Sequence, residues 1–266
     1  MGNHAVLIAL CVFFLAPLMF VLLAALMTDR QSLGQSFWPH PFQWGNFARV
    51  FRLVPLVRMT LNTLTIAGLS TVGTVLSCVP VAYALSRMRW RGRNAVFLLI
   101  LGTYMLPFQV TVVPLYIIFV RLHWIPSFKP LIIPSFFGDA FSIFLLRQFF
   151  MTIPEELSDA ARVDGGSEFQ ILTQVIVPLA KPAIVAVALF NFLYNWNDLF
   201  APLLFLQENR KLWTLTLALS QFQGLHHVDW NLMMAASVLF MLPVIILFFL
   251  AQRAFIEGVT LTGVKG

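Results

Sequence analysis

Residues 154–178 read PEELSDAARVDGGSEFQILTQVIVP, and membrane insertion does not explain them. The 266-residue chain is 59% hydrophobic and only 11% charged, yet Glu155, Glu156, Asp159, Arg162, Asp164 and Glu168 crowd into this one stretch. Charge at that density is costly in hydrocarbon, so the segment belongs in water or against another protein.

Its local pattern predicts two short helices joined by a bend. Pro154 suits a first helical turn, where its missing N–H would be unpaired anyway, and Glu155, Glu156 and Asp159 favour the positive end of a helix. Leu157, Ala160, Ala161 and Asp164 then recur at helical spacing, a narrow face of small residues that a partner can approach closely. Gly165 and Gly166 end that helix. Ser167 with Gln170 makes a capping box opening a second helix, whose Phe169, Leu172, Val175 and Ile176 form an apolar face until Pro178 breaks it.

Outward from this loop the chain reads as an all-α integral membrane protein with six transmembrane helices, organised as one domain over residues 1–266. The spans are expected at about 5–27, 61–85, 96–120, 130–150, 181–206 and 234–255. Residues 5–27 carry no charge and reach across a hydrocarbon layer of about 30 Å. The run is too long for the apolar region of a signal peptide and no Lys or Arg precedes it, so it reads as an uncleaved span. Between the first two spans, Trp38 and Trp44 suit the headgroup level, and residues 46–51 make a short interfacial helix. The fourth span is interrupted by Pro134, Gly138 and Asp139, either near its middle or with Asp139 at the mouth of a shorter tilted helix. Each span carries a proline: Pro17, Pro80, Pro107 with Pro114, Pro134, Pro202 and Pro243.

The formal net charge of +6 does not point to nucleic acid, because the Lys and Arg residues are spread over the loops between apolar runs. Four arginines fall in residues 87–93, and so short and basic a loop faces the cytoplasm. With six spans, that loop, the 154–178 loop and both termini share the cytoplasmic side of a multi-pass cell-membrane protein. Cys11 and Cys78 lie inside apolar runs and indicate neither a disulfide framework nor a metal site.

The fifth span contains Asn191, Tyr194, Asn195, Trp196, Asn197 and Asp198. An ionisable group and three amides in a membrane helix are expensive, and two readings of them stand side by side. Lining a pathway for a polar, uncharged solute is one; hydrogen-bonded glue between helices or subunits is the other. A membrane-embedded enzyme needs a nucleophile with its base, or a metal cluster, at membrane depth, whereas His4, His40, His123, His226 and His227 lie in loops or at the N-terminus. A scaffold subunit has no need of broken spans or a polar helix.

The 154–178 loop resembles the cytoplasmic loop of ABC importer membrane subunits, which carries Glu-Ala-Ala, three residues, Gly, nine residues, then Ile-x-Leu-Pro. Here the positions are held by Asp159-Ala160-Ala161, Gly165, Val175, Val177 and Pro178, with every spacing kept and with Asp for Glu and Val for Ile and Leu. Further stretches resemble the carbohydrate, maltose-type branch and the second of its two paired permeases. They are Asn62-Thr63-Leu64, Ala82-Tyr83-Ala84-Leu85, Met105-Leu106-Pro107 with Gln109, Pro114-Leu115-Tyr116, residues 144–150, Trp196-Asn197-Asp198 and the closing Gly263-Val264-Lys265-Gly266.

The resemblance implies a sugar or sugar-like solute, with glycerol-phosphate-type solutes as the alternative. It also implies a second permease, a cytoplasmic ABC ATPase dimer and an extracytoplasmic solute-binding protein as partners. Glu155, Asp159, Ala160, Ala161, Gly165 and Pro178 would then form the element that docks on the ATPase and transmits its closure. This chain itself binds no cofactor: ATP and Mg sit on the partner, since none of Lys129, Lys181, Lys211 and Lys265 follows a glycine as a phosphate-cradling loop requires.

This topology predicts that single cysteines introduced as Trp90→Cys and Gly166→Cys react with a membrane-impermeant maleimide only from the cytoplasmic side, and Gln223→Cys only from outside. Labelling of Trp90→Cys from outside in intact cells would overturn it.

Overall fold

The structure is a computed structural model describing residues 2–34, 37–220, 222 and 229–262. Gln223 and residues 263–266 lie outside them. In chain order the helices are α1 (Gly2–Ala25), α2 (Asp29–Ser32), α3 (Gly45–Leu53), α4 (Leu56–Ser86) and α5 (Arg93–Tyr104). Then come α6 (Phe108–Arg121), α7 (Lys129–Ile132), a 3-10 turn over Ile133–Phe137, α8 (Ala140–Thr152), α9 (Glu155–Val163) and α10 (Glu168–Gln170). A π-helical turn over Ile171–Ile176 leads into α11 (Val177–Leu179), followed by α12 (Lys181–Asn197), α13 (Phe200–Leu206), α14 (Leu215–Ser220) and α15 (Trp230–Thr262). Among the described residues there is no strand.

Among the described residues, four helical stretches are long and apolar enough to cross a membrane: His4–Ala25, Leu56–Ser86, Lys129–Thr152 and Trp230–Leu250. Two bent pairs bring the number to six if each is one span: α5 with α6, at 92°, and Glu168–Leu179 with α12, at 80°. The expected span over 96–120 is therefore two helices. Pro107 has extended backbone (φ −63°, ψ 138°) and no N–H to donate, and a residue preceding proline is pushed out of helical geometry, so α5 ends and α6 begins in a new direction. The expected span over 181–206 is likewise broken. Asp198 is extended, and its carboxylate accepts the N–H groups of Phe200 (2.9 Å) and Ala201 (3.3 Å), starting α13. Pro202 then falls in a first turn, where an N–H would have no helical partner.

Two compact units divide the chain, one of residues 1–62 and 213–247, the other of 63–212 and 248–266. In the first, α1 is apolar all round and solvent-accessible along most of its length, as expected of a helix whose own solvent is lipid. Its end is tied down by asparagines. The buried amide of Asn46 on α3 donates to Ala25 O (2.9 Å) and Met27 O (2.8 Å), and Asn231 on α15 donates to Met27 O (3.3 Å) and to the Asp29 carboxylate (2.7 Å). These side chains pair carbonyls that the end of a helix leaves over.

The core of the second unit joins the C-terminal part of α4 (Cys78, Ala82, Leu85) to α8 (Ile143, Leu146, Phe150) and α12 (Ala183, Val187). Two arginines lock its end reciprocally. Arg87, one residue beyond α4, donates to Phe150 O and Ile153 O at the end of α8, while Arg147 on α8 donates to Leu85 O at the end of α4 (3.0 Å) and lies 4.1 Å from the centroid of the Phe97 ring. Further along α4, Ser70 and Ser77 donate to Leu131 O and Ser135 O (both 3.0 Å) of the irregular 129–137 segment. Between them, a Cβ at Gly73 would lie 2.6 Å from the Phe136 ring, so glycine is what allows that close approach. The interruption expected at Pro134, Gly138 and Asp139 is present. Gly138 has φ +96°, and Asp139 caps α8 by accepting from Ser142 N (2.8 Å).

Arg87→Met keeps the apolar stem and removes the donors to two carbonyls. It is expected to destabilise the unit by about 2–6 kcal/mol, since each of the two buried acceptors left unpaired costs about 1–3 kcal/mol. Thermal unfolding of the detergent-solubilised protein measures this, with Arg91→Met, on the exposed arm of the same loop, expected to stay near the wild-type midpoint.

Candidate functional site

The 154–178 segment folds as helix, glycine bend, helix. Pro154 is extended and immediately precedes α9 rather than occupying its first turn; Glu155 and Glu156 follow at the positive helix end. At the other end the chain closes a Schellman motif. Gly165 N–H donates to Arg162 O (3.0 Å) and Gly166 N–H to Ala161 O (2.9 Å), with Gly165 left-handed at φ +82°. The two glycines are required for different reasons. A Cβ at Gly165 would meet nothing within 4 Å but would be strained by the backbone, whereas one at Gly166 would sit 2.8 Å from Ala161 O.

The predicted capping box is present: Gln170 N donates to the Ser167 hydroxyl (3.3 Å) and Ser167 N to the Gln170 carboxamide (2.8 Å). Beyond it the expected apolar face is only half right. Leu172 and Ile176 are buried together with Ile171, Val175 is half-buried, and Phe169 is 74% exposed. The π-helical turn accounts for this, because its wider winding shifts the phase of the side chains. It also corrects the expectation that Pro178 breaks the helix. Val177 N–H bonds to Leu172 O, five residues back, and Pro178 sits early in α11, where no donor is missed. The direction changes instead at Ala180.

A chain of charged and polar groups binds the segment to α4. The Tyr83 hydroxyl, 3% exposed, donates to one oxygen of Glu168 (2.5 Å); Arg162 Nε donates to the other (2.8 Å), and Arg162 Nη1 reaches Asp159 (2.8 Å). The Arg162 guanidinium first, and the Tyr83 hydroxyl second, hold the Glu168 carboxyl below the usual carboxylate range. The Glu168 carboxylate in turn raises Arg162 above its ordinary value. Burial lowers the Arg87 guanidinium, with the nearby Glu155 charge opposing.

Of the residues expected here, Glu155, Asp159 and Ala160 are exposed, Ala161 is half-buried, and Leu157, Val163 (87% exposed) and Phe169 present apolar side chains to water. A shallow groove beside them is lined by Ala161, Asp164, Gly165, Gly166 and Gln170.

The polar residues of α12 are not one cluster. Asn191 donates to the Thr74 hydroxyl (3.0 Å), accepts from Thr71 (3.3 Å) and accepts from Asn195 (3.0 Å), binding α12 to α4. Asn197 donates to Leu193 O on its own helix (2.8 Å), Asp198 caps α13, and Trp196 is buried and stacked on Phe192. Tyr194 is 69% exposed. Sequence reasoning missed Tyr83, Arg87, Arg147 and Gly166. Arg87 was counted only as part of a basic run, and Gly166 only as half of a stop signal.

Helices apolar enough to span a bilayer, with a charged hairpin of short helices set between two of them, define a multi-pass membrane protein of the transport-permease class. Residues 77–260 match the family model described as the binding-protein-dependent transport system inner membrane component. The chain belongs to that family: it is a permease subunit of an ATP-driven importer, and ATP hydrolysis resides in a separate subunit. It is 32% identical to the arabinooligosaccharides transport system permease protein AraQ of Bacillus subtilis, over 97% of this chain and 92% of that one. It is 33% identical to the sn-glycerol-3-phosphate transport system permease protein UgpE of Pectobacterium atrosepticum (96% and 94%). With the osmoprotective compounds uptake permease protein GgtD of Synechocystis it shares 31% identity (98% and 91%). The fold is similar to a chain in the crystal structure of a bacterial ABC transporter involved in the import of the acidic polysaccharide alginate. The TM-score is 0.79 at 24% identity, over 96% of this chain and 95% of that one.

The geometry of the bend predicts that Gly166→Ala frays the end of α9 more than Gly165→Ala does. The first drives a Cβ against Ala161 O, while the second costs about 1 kcal/mol of backbone strain. Amide hydrogen exchange of the detergent-solubilised protein across residues 160–167 checks this: faster exchange in Gly165→Ala than in Gly166→Ala would contradict it.

Proposed function

We propose that this chain is half of the translocation pathway of an importer for a sugar or sugar-like solute, and that α9 with its glycine bend docks on the ATPase and transmits its closure. The observation that carries the coupling role is the surface of α9. A segment rich in charge nevertheless exposes Leu157, Ala160 and Val163, beside a groove floored by glycine, which suits close approach by a protein rather than water alone. Glu155, Asp159, Ala160, Ala161 and Gly165 lie on this face or at its end, and Pro178 sits early in α11, ahead of the turn at Ala180 towards α12.

The partners in this reading are a second permease, a cytoplasmic ABC ATPase dimer that carries ATP and Mg, and an extracytoplasmic solute-binding protein. In this reading each bent pair is one span, and six spans leave both termini and the 154–178 segment in the cytoplasm. Relatives named for arabinooligosaccharide and osmoprotectant uptake support a polar, uncharged solute. The relative named for glycerol 3-phosphate supports a phosphorylated polyol as the second reading. Within the pathway, exposed Tyr194 is the residue of α12 best placed to meet solute, while Asn191 and Asp198 act through helix geometry.

Gly165→Val tests the coupling role. Insertion and pairing with the second permease are expected to persist, while binding of the purified ATPase weakens and binding-protein-stimulated ATP hydrolysis is lost. Asp159→Ala, which keeps the helix and removes one charge, is expected to give a smaller loss of the same kind. A reconstituted complex in which Gly165→Val docks and hydrolyses like wild type would remove α9 from this role.

A further inference from the structure

Three side chains connect α9 to α4 through one carboxylate. Glu168 holds the Tyr83 hydroxyl of α4 with one oxygen and Arg162 of α9 with the other, and Arg162 is itself fixed by Asp159 one turn back. Tyr83 is buried, whereas the other side-chain link from α9 towards the end of α4, Arg89 with Glu155 at 3.4 Å, is exposed at both partners and screened by water. Below Tyr83, Arg87 and Arg147 bind the ends of α4 and α8 to one another. A displacement of α9 therefore has a short, charge-assisted route into two long helices.

We infer that Glu168 is the positioning residue through which movement of α9 is passed to α4. Its role differs from that of the docking face: the carboxylate turns inward to Tyr83 and Arg162, while the docking face looks outward. The inference rests on the reading of α9 as the ATPase-docking helix. It adds that docking and transmission are separable, because docking uses α9 and transmission uses the Glu168 bonds. A helix that docks without the Glu168 bonds is joined to α4 chiefly by non-directional apolar packing and the exposed Arg89–Glu155 pair.

The test uses the full complex with the second permease and the ATPase dimer reconstituted in proteoliposomes, in a Cys11→Ser, Cys78→Ala background. Met88→Cys, exposed two residues beyond the end of α4, reports movement through its maleimide labelling rate with and without Mg·ATP. With Glu168 intact, Mg·ATP is expected to change that rate by about fivefold or more, the lower end of ordinary coupling between sites. Glu168→Ala and Tyr83→Phe are each expected to abolish the change while leaving ATPase affinity within about twofold. Glu168→Gln, which retains an acceptor, is expected to keep part of it. The double variant Tyr83→Phe with Glu168→Ala should be no worse than either alone, since both remove the same link.

Full Mg·ATP response in Glu168→Ala, no response with Glu168 intact, or a loss of ATPase affinity that parallels the loss of response would each overturn the inference. The parent reading is separately checked by crosslinking Ala160→Cys to the ATPase. Without that crosslink the docking role and this inference fall together; with it, an unaltered response in Glu168→Ala sinks the transmission role alone.

Discussion

Helix ends and breaks leave carbonyl oxygens without partners, and in an apolar environment each must find a donor from elsewhere in the chain. Much of the architecture follows from how those oxygens are paired. The last carbonyls of α1 are taken by Asn46 and Asn231, those of α8 by Arg87, and one at the end of α4 by Arg147. The change from α to 3-10 winding over 129–137 is tolerated because Ser70 and Ser77 supply hydroxyls to it and Gly73 leaves room for Phe136. Charged and polar residues thus act as helix-end locks in a chain whose composition offers few of them.

The arginine pair has a second consequence. Arg87 lies in a run of four in which Arg89 and Arg91 are exposed and Arg93 is half-buried, so one short loop combines a surface charge signal with a buried structural lock. By joining α4 and α8 end to end, the lock places Tyr83 on a rigid base, and the 154–178 segment rests on that base through Ile171, Leu172 and Ile176. The loop therefore meets the helices beneath it through apolar packing and the Tyr83–Glu168 bond, and meets its surroundings with charged, small and a few exposed apolar side chains. A segment that must move with the helices while being grasped by another protein needs both faces.

Bends carry the remaining design. Pro107 and Asp198 divide segments that would otherwise read as single spans, and the π-helical turn at Ile171–Ile176 lets the chain pass Pro178 without losing a hydrogen bond. At Asp198 the bend is paired by a cap and at Ile171–Ile176 by a widened turn, so there the backbone changes course with its polar groups paired.

The membrane class, the charged hairpin with its glycine bend and capping box, the short helix at α3 and the interruption at Gly138 and Asp139 were legible in the sequence, because each depends on local chemistry: hydropathy over a window, a missing N–H, a side chain three residues from the amide it caps. Long-range pairing was not. Nothing in residues 83–87 announces that Tyr83 meets Glu168 or that Arg87 reaches Phe150 and Ile153, since those partners are distant in the chain and only folding brings them together. The same holds for Asn191, whose bonds to Thr71 and Thr74 join it to a helix far away in sequence, and for Gly166, whose need is the 2.8 Å between a would-be Cβ and Ala161 O. The phase of the second loop helix was misread for a related reason: a π-helical turn is chosen by what Ile171 and Ile176 can bury against α4 and α8, and a helical wheel drawn on the sequence assumes winding that only the packed structure decides.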